Sequence, residues 1–339
     1  MSEVVLRKFS LPASLERQLD LTLQKNLGLS LSSTSEIAKA VQRMSDFYIE
    51  DGLASTPWSQ RWCQIAQLAY YLPLNFMRAQ SVIREAHRLG FFDSILTVTD
   101  FGSGLSPVQL ALKSEVPDQD FEFAVVERSS DALSLARSMN LNFEVKPSPN
   151  SGFSHLLTAS YSLTEMKEPP DWLFDYQNLI LIEPSTRQDS RRLLELRRTL
   201  IQAGYHMWAP CTHQDGCPLL EKSPSDWCHD RIHFERPGWM LDVEKRLPFQ
   251  NQTLTFSYLV ASRRPRPVTT GTIRTVGDLM RDKGKARQMV CRGPEREFFA
   301  WLSRHGEAQE IPRGVLCEKP ASMEPKSNEL RVQSPVSYL

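Results

Sequence analysis

The chain runs to 339 residues, 41% of them hydrophobic and 24% charged, a composition that belongs to folded globular proteins and excludes the disordered and fibrous classes. Lysine plus arginine number 40 and aspartate plus glutamate also number 40, so no global field draws the protein onto nucleic acid, and any RNA contact must come from local patches. Six cysteines are too sparse for a disulfide scaffold in a chain this long, and no run of about 18 apolar residues is present to span a bilayer.

The opening stretch MSEVVLRKFSLPASL has no apolar core of the kind a secretory signal needs, and Glu3 counts against an organelle presequence. The expected compartment is the cytoplasm, with the mitochondrial matrix as the alternative. From Leu11 to Leu89, apolar residues recur at spacings of three and four, as in LPASLERQLDLTLQKNL and SEIAKAVQRMSDFYI, which predicts an N-terminal helical subdomain over residues 1–92. Pro73 interrupts the third helical stretch and predicts a kink or two helices there.

The period changes at Ile95. ILTVTDF reads as a strand, Gly102-Ser-Gly104 as a tight turn, VQLALKSEV as a helix, FEFAVVE as a second strand and SDALSLARSMN as a helix capped by Ser129 or Ser130. NLILIEP, the helix RQDSRRLLELRRTLIQAG stopped at Gly204, and the strand YHMWAP follow. Alternating strands and helices predict an α/β fold with a doubly wound, Rossmann-like sheet over residues 93–210. Residues 211–310 are expected to hold a cysteine-rich metal-binding segment, the strand TLTFSYLVAS returning antiparallel to the sheet, and a small terminal unit. The tail, 311–339, with scattered Pro, Ser and Glu, is expected to be disordered.

Asp100-Phe-Gly102-Ser-Gly104 leaves a strand and opens a helix, so a ligand can approach the backbone without meeting a Cβ. Glu127 closes the next strand, where a carboxylate can accept hydrogen bonds from both ribose hydroxyls of a nucleoside. Pro107 stands where a dinucleotide fingerprint wants its third glycine or alanine, which favours S-adenosylmethionine over a nicotinamide cofactor, beside the bland alternative of a Rossmann-like domain without ligand. Glu183, at the end of NLILIE, is either a further ligand or base or a structural cap.

Cys211, Cys217 and Cys228 lie in C-x5-C-x10-C spacing directly after a strand end, where doubly wound sheets place functional loops. Cys291 could return from the terminal unit as the fourth ligand, or one of His213, His229 and His233 could replace a thiolate. The tight knuckles common in zinc sites are missing, whereas iron-sulfur clusters accept wider loops and need four thiolates. Cys63, in an apolar helical pattern, and Cys317, in the tail, read as non-ligands.

Taken together, NLILIEPST-R, APC-T-H-QDG-CPL, DWCH and FSYLVAS resemble the Rsm-type family, methyltransferase-like proteins associated with the small ribosomal subunit in mitochondria and present in many bacteria. The resemblance runs from about Leu11 to Cys291. It implies a Rossmann methyltransferase fold, S-adenosylmethionine at DFGSG, and a [4Fe-4S] cluster on Cys211, Cys217, Cys228 and Cys291, with zinc as the alternative. It also implies work on the small ribosomal subunit and its RNA, by a protein that is a monomer off the ribosome. Thr212, Ser185 and Asp230 depart from the family pattern without removing a ligand.

Methyl transfer needs a nucleophile aligned behind the methyl carbon, and a base if that nucleophile carries a proton. Glu183-Pro184-Ser185-Thr186 matches neither an Asn-Pro-Pro-aromatic loop nor a Pro-Cys nucleophile, so no catalytic residue is assigned. An rRNA methyltransferase, a non-catalytic rRNA-binding assembly factor, and a zinc-stabilised methyltransferase with an unrelated substrate all stay open. Two arginine-rich groups are candidate RNA contacts: Arg187, Arg191, Arg192, Arg197 and Arg198 on one helix, and Arg263, Arg264, Arg266, Arg281, Lys283, Lys285 and Arg287 further on. For the first, a solvated face paired with Asp189 and Glu195 is the alternative.

Overall fold

The computed structural model describes residues 7–50, 55–149, 155–267 and 271–339. The chain divides into two compact units, one of residues 8–176 and 233–254, the other of residues 177–232 and 255–339 together with Arg7. Compactness therefore places a boundary at Gln177, inside the stretch expected to be one sheet domain.

The first unit opens with strand β1 (Lys8–Ser10) and helices α1 (Ala13–Leu27), α2 (Thr34–Glu50), α3 (Arg61–Ala66) and α4 (Leu72–Arg88). Leu15, Leu19, Leu23 and Leu27 repeat at four-residue spacing along α1 and are all buried, so one stripe of the helix meets the core. Gly28 ends it in the left-handed conformation, with Leu29 N–H returning to the Leu23 carbonyl. The stretch around Pro73 is two α-helices, as expected, with an irregular turn between them. A π-turn over Gln67–Tyr71 joins α3 to α4, with Leu72 N–H bonded to the carbonyl of Gln67, which places Pro73 in the first turn of α4, where its missing N–H costs nothing.

The helices lead into β2 (Thr97–Phe101), α5 (Pro107–Glu115), β3 (Glu122–Val126), α6 (Ser130–Ser138), β4 (Glu144–Val145) and β5 (Leu156–Ser160). Ser129 caps α6 by accepting the Ala132 N–H at 3.2 Å. The strands pair in parallel in the order β4-β3-β2-β5. β2 thus has β3 on one side and β5 on the other, so its C-terminal end is the switch point at which an open α/β sheet holds a ligand. β4 and β5 were not legible as strands.

The second unit contains β6 (Asn178–Glu183), α7 (Arg187–Gln202), β7 (His206–Ala209) and α8 (Pro218–Glu221); β8 (Asp230–Glu235) and α9 (Gly238–Glu244) follow in the chain, then β9 (Thr253–Ser262). β9 pairs antiparallel with β6 from Asn178↔Ser262 to Glu183↔Ser257 and antiparallel with β7, as expected of TLTFSYLVAS. Residues 233–235 of β8 belong to the first unit, in parallel with β1. The fold is α/β with mixed sheet pairing.

The C-terminal part of the second unit is a sheet of β10 (Thr272–Asp282), β11 (Lys285–Cys291), β12 (Glu297–Leu302), β13 (Leu316–Glu318), β14 (Met323–Lys326) and β15 (Glu329–Val332), in the order β13-β10-β11-β12-β15-β14. This corrects the expectation of a disordered 311–339 tail. Ile311, Val315, Cys317, Leu330, Val332 and Val336 are buried against Ile273, Val290, Phe299 and Trp301, and that burial offsets the entropy of ordering the segment. Among the described residues, no helix is long and apolar enough to cross a membrane.

Candidate functional site

β2 delivers Asp100 and Phe101 to a reversal through Gly102 (φ 63) and Gly104 (φ 52), both left-handed. A Cβ on Gly102 would lie 2.6 Å from the Cβ of Ser162, and one on Gly104 would lie 3.3 Å from the Trp58 ring. The backbone is as closely packed there as an absent side chain permits. Gly104 N–H donates to Glu127 Oε2 at 2.9 Å, and Ser129 N–H donates to Oε1 at 2.8 Å. The half-buried Glu127 carboxylate at the end of β3 is thus aimed at the turn, with lone pairs left for hydroxyl donors.

Asp100 is 2% exposed. Its Oδ1 accepts the Thr158 hydroxyl at 2.6 Å, whereas Oδ2 has no hydrogen-bond partner among the described residues. Burial pushes its pKa up to about 7, against the Thr158 hydrogen bond and with repulsion from Glu127. The hydroxyls of Ser103 and Ser106 are buried around the same turn, likewise without a hydrogen-bond partner among the described residues. Unmet buried polar atoms cost about 1–3 kcal/mol each unless a ligand or water satisfies them. Asp100, Gly102, Gly104 and Glu127 are therefore brought together, in the first unit. Glu183 is buried at the end of β6 in the second. Trp58, in the turn before α3, is a wall of this site that the sequence reading missed; a lone tryptophan in TPWSQ carries no local signal for a contact 46 residues away.

In the second unit Cys211 follows β7, Cys217 caps α8, Cys228 precedes β8 and Cys291 ends β11. Cys217, Cys228 and Cys291 pack together against Leu194, Leu219 and Val276. Burial raises the pKa of all three, and the thiols of the set raise one another, Cys291 to about 12. Cys63 and Cys317 are pushed to about 12 by burial with no thiol neighbour contributing, which separates them from the four.

His213 Nε2 lies 3.4 Å from Cys291 Sγ, and burial with the nearby Arg197 holds its pKa down at about 4, so the ring is neutral at pH 7. His229 stacks on Trp227 and is likewise depressed to about 4, by burial first and then by Arg313 and Arg231. His233 pairs with Lys8 in the first unit. Among the described residues, no three His, Cys, Asp or Glu side chains form a group that could hold one metal ion. Zinc bound at about 2.3 Å would keep its sulfurs about 3.8 Å apart. The expected metal-binding insertion is therefore not a ready-made zinc tetrahedron; it is four thiols converging on one part of the unit.

The arginines of α7 are corrected too. Rather than presenting a free basic face, Arg187 donates to the Pro224 carbonyl at 2.7 Å, and Arg191 donates to the carbonyls of Leu219, Ser223 and Asp226 at 3.2, 3.0 and 2.9 Å. Arg197 is 2% exposed and turned toward Cys211. Arg198, exposed, pairs with Glu195. The helix binds the loop that carries the cysteines, because three of its arginines reach carbonyls or sulfur. In the second group, Arg266 donates to the Cys211 carbonyl and Arg287 pairs with Asp282, whereas Arg281 and Lys283 stand exposed at the β10–β11 hairpin.

The description of the mitochondrial small ribosomal subunit Rsm22 family matches residues 69–310. The chain belongs to the Rsm22 family. The matched stretch holds the glycine turn, Glu127, Glu183 and all four cysteines, and it ends before β13. No curated protein matches the chain. Similar solved structures include a candidate RNA methyltransferase of Pyrococcus horikoshii, 15% identical over 55% of this chain and 83% of that one, with a TM-score of 0.35. The plantazolicin methyltransferase BpumL, solved with SAH, is 12% identical over 74% of this chain and 98% of that one, with a TM-score of 0.33. A precorrin-6y C5,15-methyltransferase of Geobacter metallireducens is 11% identical over 55% of this chain and 86% of that one, with a TM-score of 0.31.

Proposed function

We propose that this Rsm22-family chain is an S-adenosylmethionine-binding, iron-sulfur-containing, methyltransferase-like protein that acts in assembly of the small ribosomal subunit and contacts its RNA. The family's name supports the matrix of mitochondria as its setting. The observation that carries the proposal is that one matched stretch holds both a glycine turn ringed by unmet buried polar atoms and a set of four converging thiols.

The glycine turn has donors and acceptors for a nucleoside, and the four thiols would supply the donor set of a cluster, although no three of the described side chains form a single-ion site. Gly102 and Gly104 let the chain reverse tightly against Ser162 and Trp58, Glu127 would accept from ribose hydroxyls, and Asp100 with the Ser103 and Ser106 hydroxyls would meet polar atoms or ordered water. S-adenosylmethionine bound there supplies an electrophilic methyl group. Cys211, Cys217, Cys228 and Cys291 would hold the cluster and tie the loop after β7 to β11, since metal binding couples to folding. The exposed Arg281 and Lys283 would be available for phosphate contact.

A non-catalytic assembly factor is favoured over a methyltransferase by one observation. The residues after β6 that would face a substrate in a base-modifying enzyme are spent on structure: the Ser185 hydroxyl donates to Thr255 at 2.7 Å, its carbonyl accepts Trp227 Nε1 at 2.9 Å, and Thr186 caps α7. The deciding measurement is iron, sulfide and zinc content with a visible spectrum on anaerobically purified protein, alongside calorimetric titration with S-adenosylhomocysteine. About four irons and four sulfides per chain support the cluster. One zinc and no colour would replace it with a zinc-stabilised methyltransferase, and no heat of binding would remove the nucleoside site.

A further inference from the structure

The buried arginine of α7, 2% exposed, reaches a sulfur of the thiol set directly. Arg197 Nε donates to Cys211 Sγ at 3.1 Å and its Nη2 donates to the His213 carbonyl at 2.9 Å. Among the described residues, no carboxylate forms an ion pair with it. A guanidinium remains charged at neutral pH, and a buried charge is costly unless an anion lies beside it. Cys211 Sγ is the sulfur that Arg197 Nε reaches directly. The guanidinium is therefore placed to meet negative charge on sulfur.

We propose that Arg197 is the built-in counter-ion of the metal-bound set, donating an N–H···S hydrogen bond to the Cys211 thiolate and offsetting the excess negative charge of four thiolates around a cluster. This rests on the cluster reading above. Arg197 is a positioning residue: it touches a ligand and not a substrate. A positive charge and an N–H donor beside a ligand sulfur stabilise the more reduced, more negative state of a cluster, so removing them lowers its reduction potential.

The test compares the full-length wild type with R197Q, which keeps N–H donors without charge, R197K, which keeps charge without the planar fork, and the clusterless C217S. Each is reconstituted anaerobically and read for iron and sulfide, for midpoint potential by dithionite titration, and for thermal melting. R197Q is expected to shift the midpoint to more negative values and to retain less iron, with R197K closer to the wild type in both. A midpoint and iron content in R197Q equal to the wild type overturn the role of Arg197. If R197Q takes up no iron, R197K decides: iron uptake in R197K supports the counter-ion, whereas failure of both, with melting below that of C217S, marks a merely structural arginine and overturns it. A wild type that carries no iron instead overturns the cluster reading itself.

Discussion

Alanine at Gly102 and alanine at Gly104 should separate two kinds of glycine in one turn. Both residues are left-handed, which costs any side-chain-bearing residue about 1–2 kcal/mol. At Gly104 little is added, because the new methyl meets the Trp58 ring at 3.3 Å and a half-buried ring can give by a few tenths of an ångström. At Gly102 the methyl meets the Ser162 Cβ at 2.6 Å, against about 3.5–4.0 Å for an ordinary carbon contact. Ser162 must move by about 1 Å, which adds about 1–3 kcal/mol of overpacking. The move also endangers the 2.9 Å bond from the Ser162 hydroxyl to the Phe101 carbonyl, which is worth about 1 kcal/mol. Gly102→Ala should therefore destabilise by about 4 kcal/mol and Gly104→Ala by about 1–2 kcal/mol. Urea unfolding followed by tryptophan fluorescence and circular dichroism measures both. Equal costs, or a Gly102→Ala within about 1 kcal/mol of the wild type, would refute the packing argument. In the folded variants, calorimetric titration with S-adenosylhomocysteine should show binding abolished by Gly104→Val, since a branched side chain drives into the Trp58 ring and reshapes the turn; unchanged heats would remove the ligand from this turn.

The folded state holds the Asp100 proton more tightly than the unfolded chain, so stability should fall as pH rises from about 4 to about 7 and then level off. Asp100→Asn should remove that fall, and melting curves at pH 5 and pH 8 with the same slope as the wild type would contradict it. Tyr70→Phe deletes the 2.9 Å bond from the phenol to the buried carboxylate of Glu244, which Asn251 and Arg236 also reach, and the bond that Asn251 Nδ2 donates to the phenol at 2.7 Å, and should cost about 2 kcal/mol in thermal or chemical unfolding. Cys217→Ser should lose the visible chromophore and lower the melting temperature of the second unit; full iron and full stability would sink the ligand assignment. Arg191→Ala releases the four carbonyls of Leu219, Leu220, Ser223 and Asp226, and faster amide exchange confined to that loop is the expected result.

Local signals were sufficient for much of this protein. Helical spacing of leucines in α1, the apolar run of β6, the Ser129 cap, the glycine turn and the antiparallel β9 all depend on residues a few positions apart, because backbone geometry and side-chain periodicity are short-range. The same is true of the candidate residues Asp100, Gly102, Gly104 and Glu127, which adjacent strand ends bring together. Tertiary structure decided the rest. β13, β14 and β15 are short and polar, and their few apolar positions become a core only when paired with β10 and β12. Trp58 meets Gly104 across 46 residues, and Cys291 joins Cys211, Cys217 and Cys228 only once β11 is in place. The α7 arginines read as a basic surface because charge patterning records composition and not direction; where each side chain points depends on the loop packed against it. The buried charge of Arg197 beside Cys211 follows from that packing, since a helix sequence by itself does not say which of its charged faces will be deprived of water.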